Sequence, residues 1–217
     1  SLNMLKQADG NNVQFTTALS PPLTNPVTIS TEWFYTFLNG LTYYNWNAID
    51  QATAIAPGHC YIHKGTSAAG LEQQYIFEGK PNNGTILIAA DDVDNDHLGV
   101  GESVKDVTMT TSLIGNPYPS ALDARQFIAD NTGIISGTIQ LWEQWAGSSH
   151  YLADYEGGYG YINNLTTERA YQDPEIPIAD QVQTQGIKRP TFYIPVGQGF
   201  IVEVIEDGNI EFNNGQR

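Results

Sequence analysis

Thr110-Thr111-Ser112-Leu113-Ile114-Gly115-Asn116-Pro117 repeats, with small changes, the pattern of Thr16-Thr17-Ala18-Leu19-Ser20-Pro21-Pro22 near the start of the chain. An aromatic stretch follows each: Trp33-Phe34-Tyr35 and on to Trp46 in the first, residues 142–161 in the second. Each then reaches a proline-glycine-aromatic string, Pro57-Gly58-His59-Cys60-Tyr61-Ile62 and Pro195-Val196-Gly197-Gln198-Gly199-Phe200-Ile201. Each closes on asparagines and glycine, at Asn82-Asn83-Gly84 and Asn213-Asn214-Gly215. A repeated unit predicts copies of one supersecondary motif packed together. The expected organisation is a first β repeat over residues 1–90, an acidic linker loop over 91–106, and a second β repeat over 107–217. The second copy carries a helix and a long loop insertion over 166–188, and the two copies either stand apart or fuse into one domain.

Segments 13–19, 27–36, 60–64, 74–78, 85–89, 107–114, 137–145, 191–194, 199–205 and 209–212 are short and rich in β-branched or aromatic residues. Turn residues punctuate them, among them Gly157-Gly158 and Asp207-Gly208, and that combination predicts strands. Asp207-Gly208 between two such runs predicts a tight hairpin over 199–212. One helix is expected after Pro119, with Ser120 as N-cap, Leu122, Phe127 and Ile128 on its apolar face, and Asn131-Thr132-Gly133 as its stop. The fold expected is all-β, a β-sandwich or pair of β-units built from two related repeats, with that one short helix.

Of the 217 residues, 41% are hydrophobic, enough for a core, and only 15% are charged. The formal net charge of −15 excludes nucleic acid as a partner, because that binding needs clustered Lys and Arg. No apolar run approaches the roughly 18 residues of a membrane-spanning helix, so no direct membrane insertion is expected. The single cysteine, Cys60, forms no internal disulfide and reads as a small buried hydrophobe. An acidic, Thr- and Asn-rich composition points to an extracellular or cell-surface location, and both ends look like cuts from a longer polypeptide.

The string Leu113-Ile114-Gly115-Asn116-Pro117-Tyr118-Pro119-Ser120-Ala121-Leu122-Asp123, with Phe127-Ile128 and Gly137-Thr138-Ile139-Gln140-Leu141-Trp142, resembles a β-rich module of large secreted and cell-surface proteins of Bacteroidetes. Such proteins typically carry a C-terminal type IX secretion sorting domain. The blocks Phe77-Glu78-Gly79-Lys80-Pro81-Asn82-Asn83-Gly84 and Tyr193-Ile194-Pro195-Val196-Gly197-Gln198-Gly199-Phe200 look like those that flank it. The resemblance implies an exported β module and no activity. Physically, Pro117 and Pro119 fix an extended path, Tyr118 is forced to one side, and Gly115 allows close backbone approach, so the motif reads as a rigid strand-to-helix corner.

Asp92, Asp94 and Asp96 alternate along an acidic loop, so their carboxylates can converge on one hard cation with Glu102 completing an oxygen shell. Calcium is therefore the candidate cofactor, although the loop fails the EF-hand pattern, with His97 where glycine is required. A second candidate is the run Trp145, Tyr151, Tyr155, Tyr159 and Tyr161, interleaved with glycines, whose rings can stack on sugars or contact a protein. Trp142, aligned with Trp33, is expected in the core. His59 and His63, four apart in one strand, would lie roughly 13 Å apart, too far for a shared metal. Gly65-Thr66-Ser67-Ala68-Ala69-Gly70 approximates a nucleophile elbow but has one residue too many. Glu143, Asp154 and Glu156 are acids that a glycoside hydrolase would use, yet nothing in the pattern selects them.

The function expected is a non-catalytic extracellular β module of a larger bacterial surface or secreted protein, adhesive or structural, with a glycan or surface protein as ligand. The alternative is a carbohydrate-binding accessory module of a secreted hydrolase.

Overall fold

The computed structural model describes residues 2, 5–65, 73–93, 109–146, 156–172 and 185–217. The amino-terminal part holds β1 (Leu5–Gln7), β2 (Gln14–Thr16), β3 (Thr28–Ser30), β4 (Tyr35–Thr36), β5 (Asn47–Ala48) and β6 (Tyr75–Phe77). Then come β7 (Ile86–Ala90), β8 (Thr111–Gly115), β9 (Leu122–Asp123), the helix α1 (Ala124–Asp130), and β10 (Ile135–Ala146). The chain finishes with β11 (Glu156–Asn163), β12 (Thr167–Gln172), β13 (Tyr193–Ile194), β14 (Gly199–Val204) and β15 (Gly208–Phe212). The fold is all-β, with α1 the one α-helix among the described residues.

A five-stranded antiparallel sheet in the order β12-β11-β10-β14-β8 organises the molecule. Alternation along its strands separates two faces. Ile114, Ile139, Ile162, Phe200 and Val202 are buried on the inner face, against Ile88, Ile210 and Phe212 of the β7–β15 ribbon and against α1. Phe127 of α1 joins the three parts, with its ring centroid 5.5 Å from Phe200 and 4.9 Å from Phe212. Because Ile88 and Ala90 belong to this core, the segment expected to close the first repeat is paired with the end of the second. A smaller core of Leu5, Val13, Ile29 and Phe34 lies in the amino-terminal part.

The amino-terminal part also covers the β8 edge of the sheet. Gly40 and Thr111 exchange backbone hydrogen bonds of 2.9 Å, the Leu113 amide donates to Phe37 at 2.7 Å, and the Gly115 amide donates to Gly58 at 2.9 Å. An uncovered edge would leave these groups without partners and invite association with another chain.

Four local expectations are corrected. The 199–212 segment is not a hairpin: β14 lies between β10 and β8, while β15 pairs with β7 in a separate ribbon. The helix begins later than expected, with Asp123 rather than Ser120 as N-cap; the Asp123 carboxylate accepts from the Arg125 amide, and Leu122 pairs with Ile194. Residues 60–64 form no strand: their backbone pairs only in the isolated bridge of Ile62 to Tyr35, with that of His59 to Ile114 just before them. Finally, β11 and β12 occupy stretches read as glycine-rich turn and loop insertion. Glycines serve β11 because the strands approach closely: a Cβ at Gly160 would lie 3.0 Å from the Glu168 carbonyl oxygen, and one at Gly158 would collide with Tyr171.

The corner at Asn116–Pro119 turns Tyr118 to one side as expected, but leads into β9 before the helix begins. Tyr118 is 1% exposed and its hydroxyl donates to the Gly84 carbonyl at 2.7 Å. Asn116 ties the turn together, its amide nitrogen donating to Ser120, Ile194 and Pro195 carbonyls and its oxygen accepting from the Tyr118 amide. Asn131 does the same after the helix, bonding both the amide and the carbonyl of Glu211.

Candidate functional site

The outer face of the sheet is divided. At the β8–β14 end it is closed by the amino-terminal part, with Cys60 packed over Gly115 and Gly199. At the β10–β12 end it is open and aromatic. Trp142, Tyr159 and Tyr171 are register partners across three adjacent strands and therefore share that face. The neighbouring row is Gln140, Tyr161 and Glu168. Trp142 is 47% exposed, Tyr161 40% and Tyr171 57%.

Local sequence explains this geometry. In Gln140-Leu141-Trp142-Glu143 the residues alternate between faces, and Trp142 points away from the core that takes Ile139. Gly157 stands diagonally beside Trp142, and the indole lies against it: a Cβ at 157 would be 2.7 Å from Cζ2 and 3.0 Å from Cη2. Tyr159 packs edge-on to the indole, with centroids 5.0 Å apart and planes at 66°. Burial pushes the Tyr159 phenol above its ordinary range, and the neighbouring Tyr161 adds to the shift. Tyr159 is thus the support and Trp142, Tyr161 and Tyr171 are the presented rings.

Of the aromatic residues expected at a binding surface, Tyr159 and Tyr161 stand on this face. Trp145 falls at the register shift in β10 and is half-buried. Tyr151 and Tyr155 lie outside the described residues. Trp142, expected in the core by analogy with Trp33, is instead exposed, because its position in the strand alternation faces outward. Trp33 differs: its ring nitrogen donates to the Leu19 carbonyl at 2.8 Å, and Lys64 sits over its ring. Tyr171 lies in a segment that reads as loop, because Thr167-Glu168-Arg169-Ala170-Tyr171-Gln172 is polar and its alternation is broken by two successive exposed residues, Glu168 and Arg169.

Of the acidic set Asp92, Asp94, Asp96 and Glu102, only Asp92 lies within the described residues. Its carboxylate accepts from the Thr110 hydroxyl at 3.0 Å, and its amide donates to the Asp207 carboxylate at 2.8 Å. Among the described residues, no three His, Cys, Asp or Glu side chains are grouped to hold a metal ion.

His59 and His63 do not share a strand face. His59 bridges to Ile114 of β8, whereas His63 packs among Phe34, Tyr61 and Tyr75, its ring centroid 5.4 Å from Tyr75. Burial lowers the His63 pKa, and it pushes the Tyr61 and Tyr75 phenols up to about 12. Burial likewise pushes the Cys60 thiol up to about 11, as expected for a packed, unreactive cysteine. Glu143 points to the inner side of the sheet, where its carboxylate accepts from the Ile187 and Lys188 amides at 3.2 Å. Asp154 and the Glu156 side chain lie outside what is described.

The family model described as "Domain of unknown function (DUF8693)" matches residues 12–217. The chain belongs to that family. No curated protein and no solved structure matches it.

Proposed function

We propose that this member of the DUF8693 family is a non-catalytic extracellular β module of a larger bacterial surface or secreted protein, adhesive in role, and that it binds through the open aromatic end of its five-stranded sheet. The observation that carries this reading is the register of Trp142, Tyr159 and Tyr171 across three strands, with Trp142, Tyr161 and Tyr171 exposed. Large rings carried by hydrogen-bonded strands bind at reduced ordering cost, and Trp and Tyr are the side chains that contribute most at contact surfaces. Contiguous exposed apolar patches of this kind are often functional. The low charged fraction and the resemblance carried by residues 113–123 support export to the cell surface. Glu143, an acid near this surface, faces away and is occupied by backbone amides, and Glu168 on the neighbouring row is paired with Arg189, which supports adhesion over turnover.

Adhesion of beads coated with the whole chain to immobilised mucin, collagen, fibronectin and plant cell-wall material tests the reading. The expected result is attachment to at least one surface, reduced several-fold by Trp142→Ala with Tyr171→Ala. Attachment to none of them, or attachment that ignores both substitutions, would overturn it.

A further inference from the structure

The aromatic face has a shape and charge that select among ligands, and the inference below rests on the binding-module reading just given. We infer that it takes a neutral polysaccharide, whose sugar rings stack on Trp142 and Tyr171 while Tyr161, Gln140 and Glu168 meet the hydroxyl groups.

Adjacent strands lie about 4.8 Å apart, so Trp142 on β10 and Tyr171 on β12 stand about 10 Å apart along one row. That row has the length of a short run of linked sugars and crosses the strands instead of following them. The indole lies over Gly157, where any side chain would displace it, and about half of its surface is exposed. An exposed ring surface fits the C–H face of a pyranose. The parallel row supplies an amide, a phenol and a carboxylate, groups that accept and donate to hydroxyls. Tyr159 supports the indole edge-on and is a positioning residue.

Charge and area disfavour the other partners. Neither row contains Lys or Arg, the nearby guanidinium of Arg189 is paired with Glu168 at 3.6 Å, and the chain carries −15 overall, so sulfated or uronic polymers are disfavoured. The exposed parts of Trp142, Tyr161 and Tyr171 amount to about 300 Å² if each ring side chain has roughly 200 Å². A stable protein interface needs about 800 Å² from each side. The presented surface therefore suits a narrow polymer better than a protein.

The test is affinity electrophoresis of the whole chain in gels containing mixed-linkage β-glucan, xyloglucan, arabinoxylan or galactomannan, with heparin and polygalacturonate as anionic probes. Retardation by at least one neutral polymer is expected, unchanged between 0.15 M and 1 M salt because stacking is not screened, a contrast set by the Debye length. Trp142→Ala and Tyr171→Ala should each weaken it tenfold or more, while Tyr43→Ala, on an exposed turn elsewhere, leaves it intact. Gly157→Val, which lifts the indole without removing it, should also weaken it, and unchanged melting temperatures of the Trp142 and Tyr171 variants exclude loss of fold. Retardation by the anionic polymers alone, or neutral binding indifferent to Trp142→Ala, would overturn the inference. Trp142-dependent adhesion to collagen or fibronectin without polysaccharide binding would overturn it too, leaving the binding-module reading standing. Absence of both polysaccharide binding and adhesion would overturn the two together.

Discussion

Gly115 and Gly199 face each other across β8 and β14, and the sulfur of Cys60 fills the space above the pair. A Cβ at 199 would lie 2.5 Å from that sulfur, and one at 115 would lie 3.3 Å from it. The notch is where the amino-terminal part locks onto the five-stranded sheet, next to the Gly115–Gly58 backbone bond.

Gly199→Ala is accordingly expected to destabilise the protein by about 1–3 kcal/mol, the usual cost of overpacking. Cys60→Ala removes the sulfur and leaves its Cβ 3.6 Å from the new methyl, an ordinary contact. In the Cys60→Ala background the penalty of Gly199→Ala should therefore fall close to zero. A double-mutant cycle from urea unfolding reads the coupling, and additive penalties would show that the notch is not what makes residue 199 glycine.

Asn116 holds the strand-to-helix corner through three donated bonds and one accepted bond, and it is almost fully buried. Asn116→Asp keeps the shape but turns the donating nitrogen into an oxygen facing three carbonyl oxygens. A loss of about 3 kcal/mol or more at pH 7 is expected, since buried groups lose their partners and a charge is added. The carboxyl would have a raised pKa there, so the deficit relative to the wild type should shrink as pH falls and the group gains a proton. Urea midpoints at pH 7 and pH 4.5 measure both effects.

The parts of the fold legible in sequence were those where chemistry and position agree locally. Pro117, Pro119 and Asn131-Thr132-Gly133 marked a corner and a helix stop that the structure has. Asp207-Gly208 misled because a turn signal reports a reversal of chain direction and says nothing about which sheet receives the next strand. β15 finds its partner in β7, more than a hundred residues away, and only the shared core around Phe212 decides that pairing. The candidate site was half legible for a related reason. Tyr159 and Tyr161 stood out as aromatic, but the outward direction of Trp142 depended on strand phase. The place of Tyr171 depended on recognising β12, a polar strand whose alternation is broken at Glu168 and Arg169.

His63 gives the protein a pH dependence with a definite sign. Burial among Phe34, Tyr61 and Tyr75 lowers its folded pKa below the 6.5 of the unfolded chain, and the two phenols stay neutral until about pH 12. Between the two histidine values the unfolded state binds a proton that the folded state refuses. Stability therefore falls as pH drops below about 6.5, by at most about 1.4 kcal/mol per pH unit for one proton, and levels off below the folded value. His63→Phe keeps the aromatic packing and removes the titration. Its melting temperature should fall less than that of the wild type between pH 7.5 and 5.5, and equal falls would assign the dependence to other groups.

Glu143 separates a binding surface from a catalytic one. It follows Trp142 directly, yet the strand alternation sends it to the opposite face, where it receives the Ile187 and Lys188 amides and lies against Gly186. A carboxylate so engaged holds the 185–190 segment over β11 and β12, where Pro190 also approaches Gly160. Glu143→Gln retains an acceptor oxygen at nearly the same place. It should keep ligand binding by the aromatic face intact and cost no more than about 1 kcal/mol, since each net hydrogen bond is worth that order. Glu143→Ala should leave the Ile187 and Lys188 amides to exchange faster with solvent and should open the segment to proteolysis, again without loss of binding. Hydrogen exchange at those two amides, beside polysaccharide retardation of the same variants, distinguishes the roles. Protected amides in Glu143→Ala would show that the clamp is not needed. Polysaccharide cleavage by the wild type that Glu143→Gln abolishes would make this residue an acid of an active site and the module an enzyme.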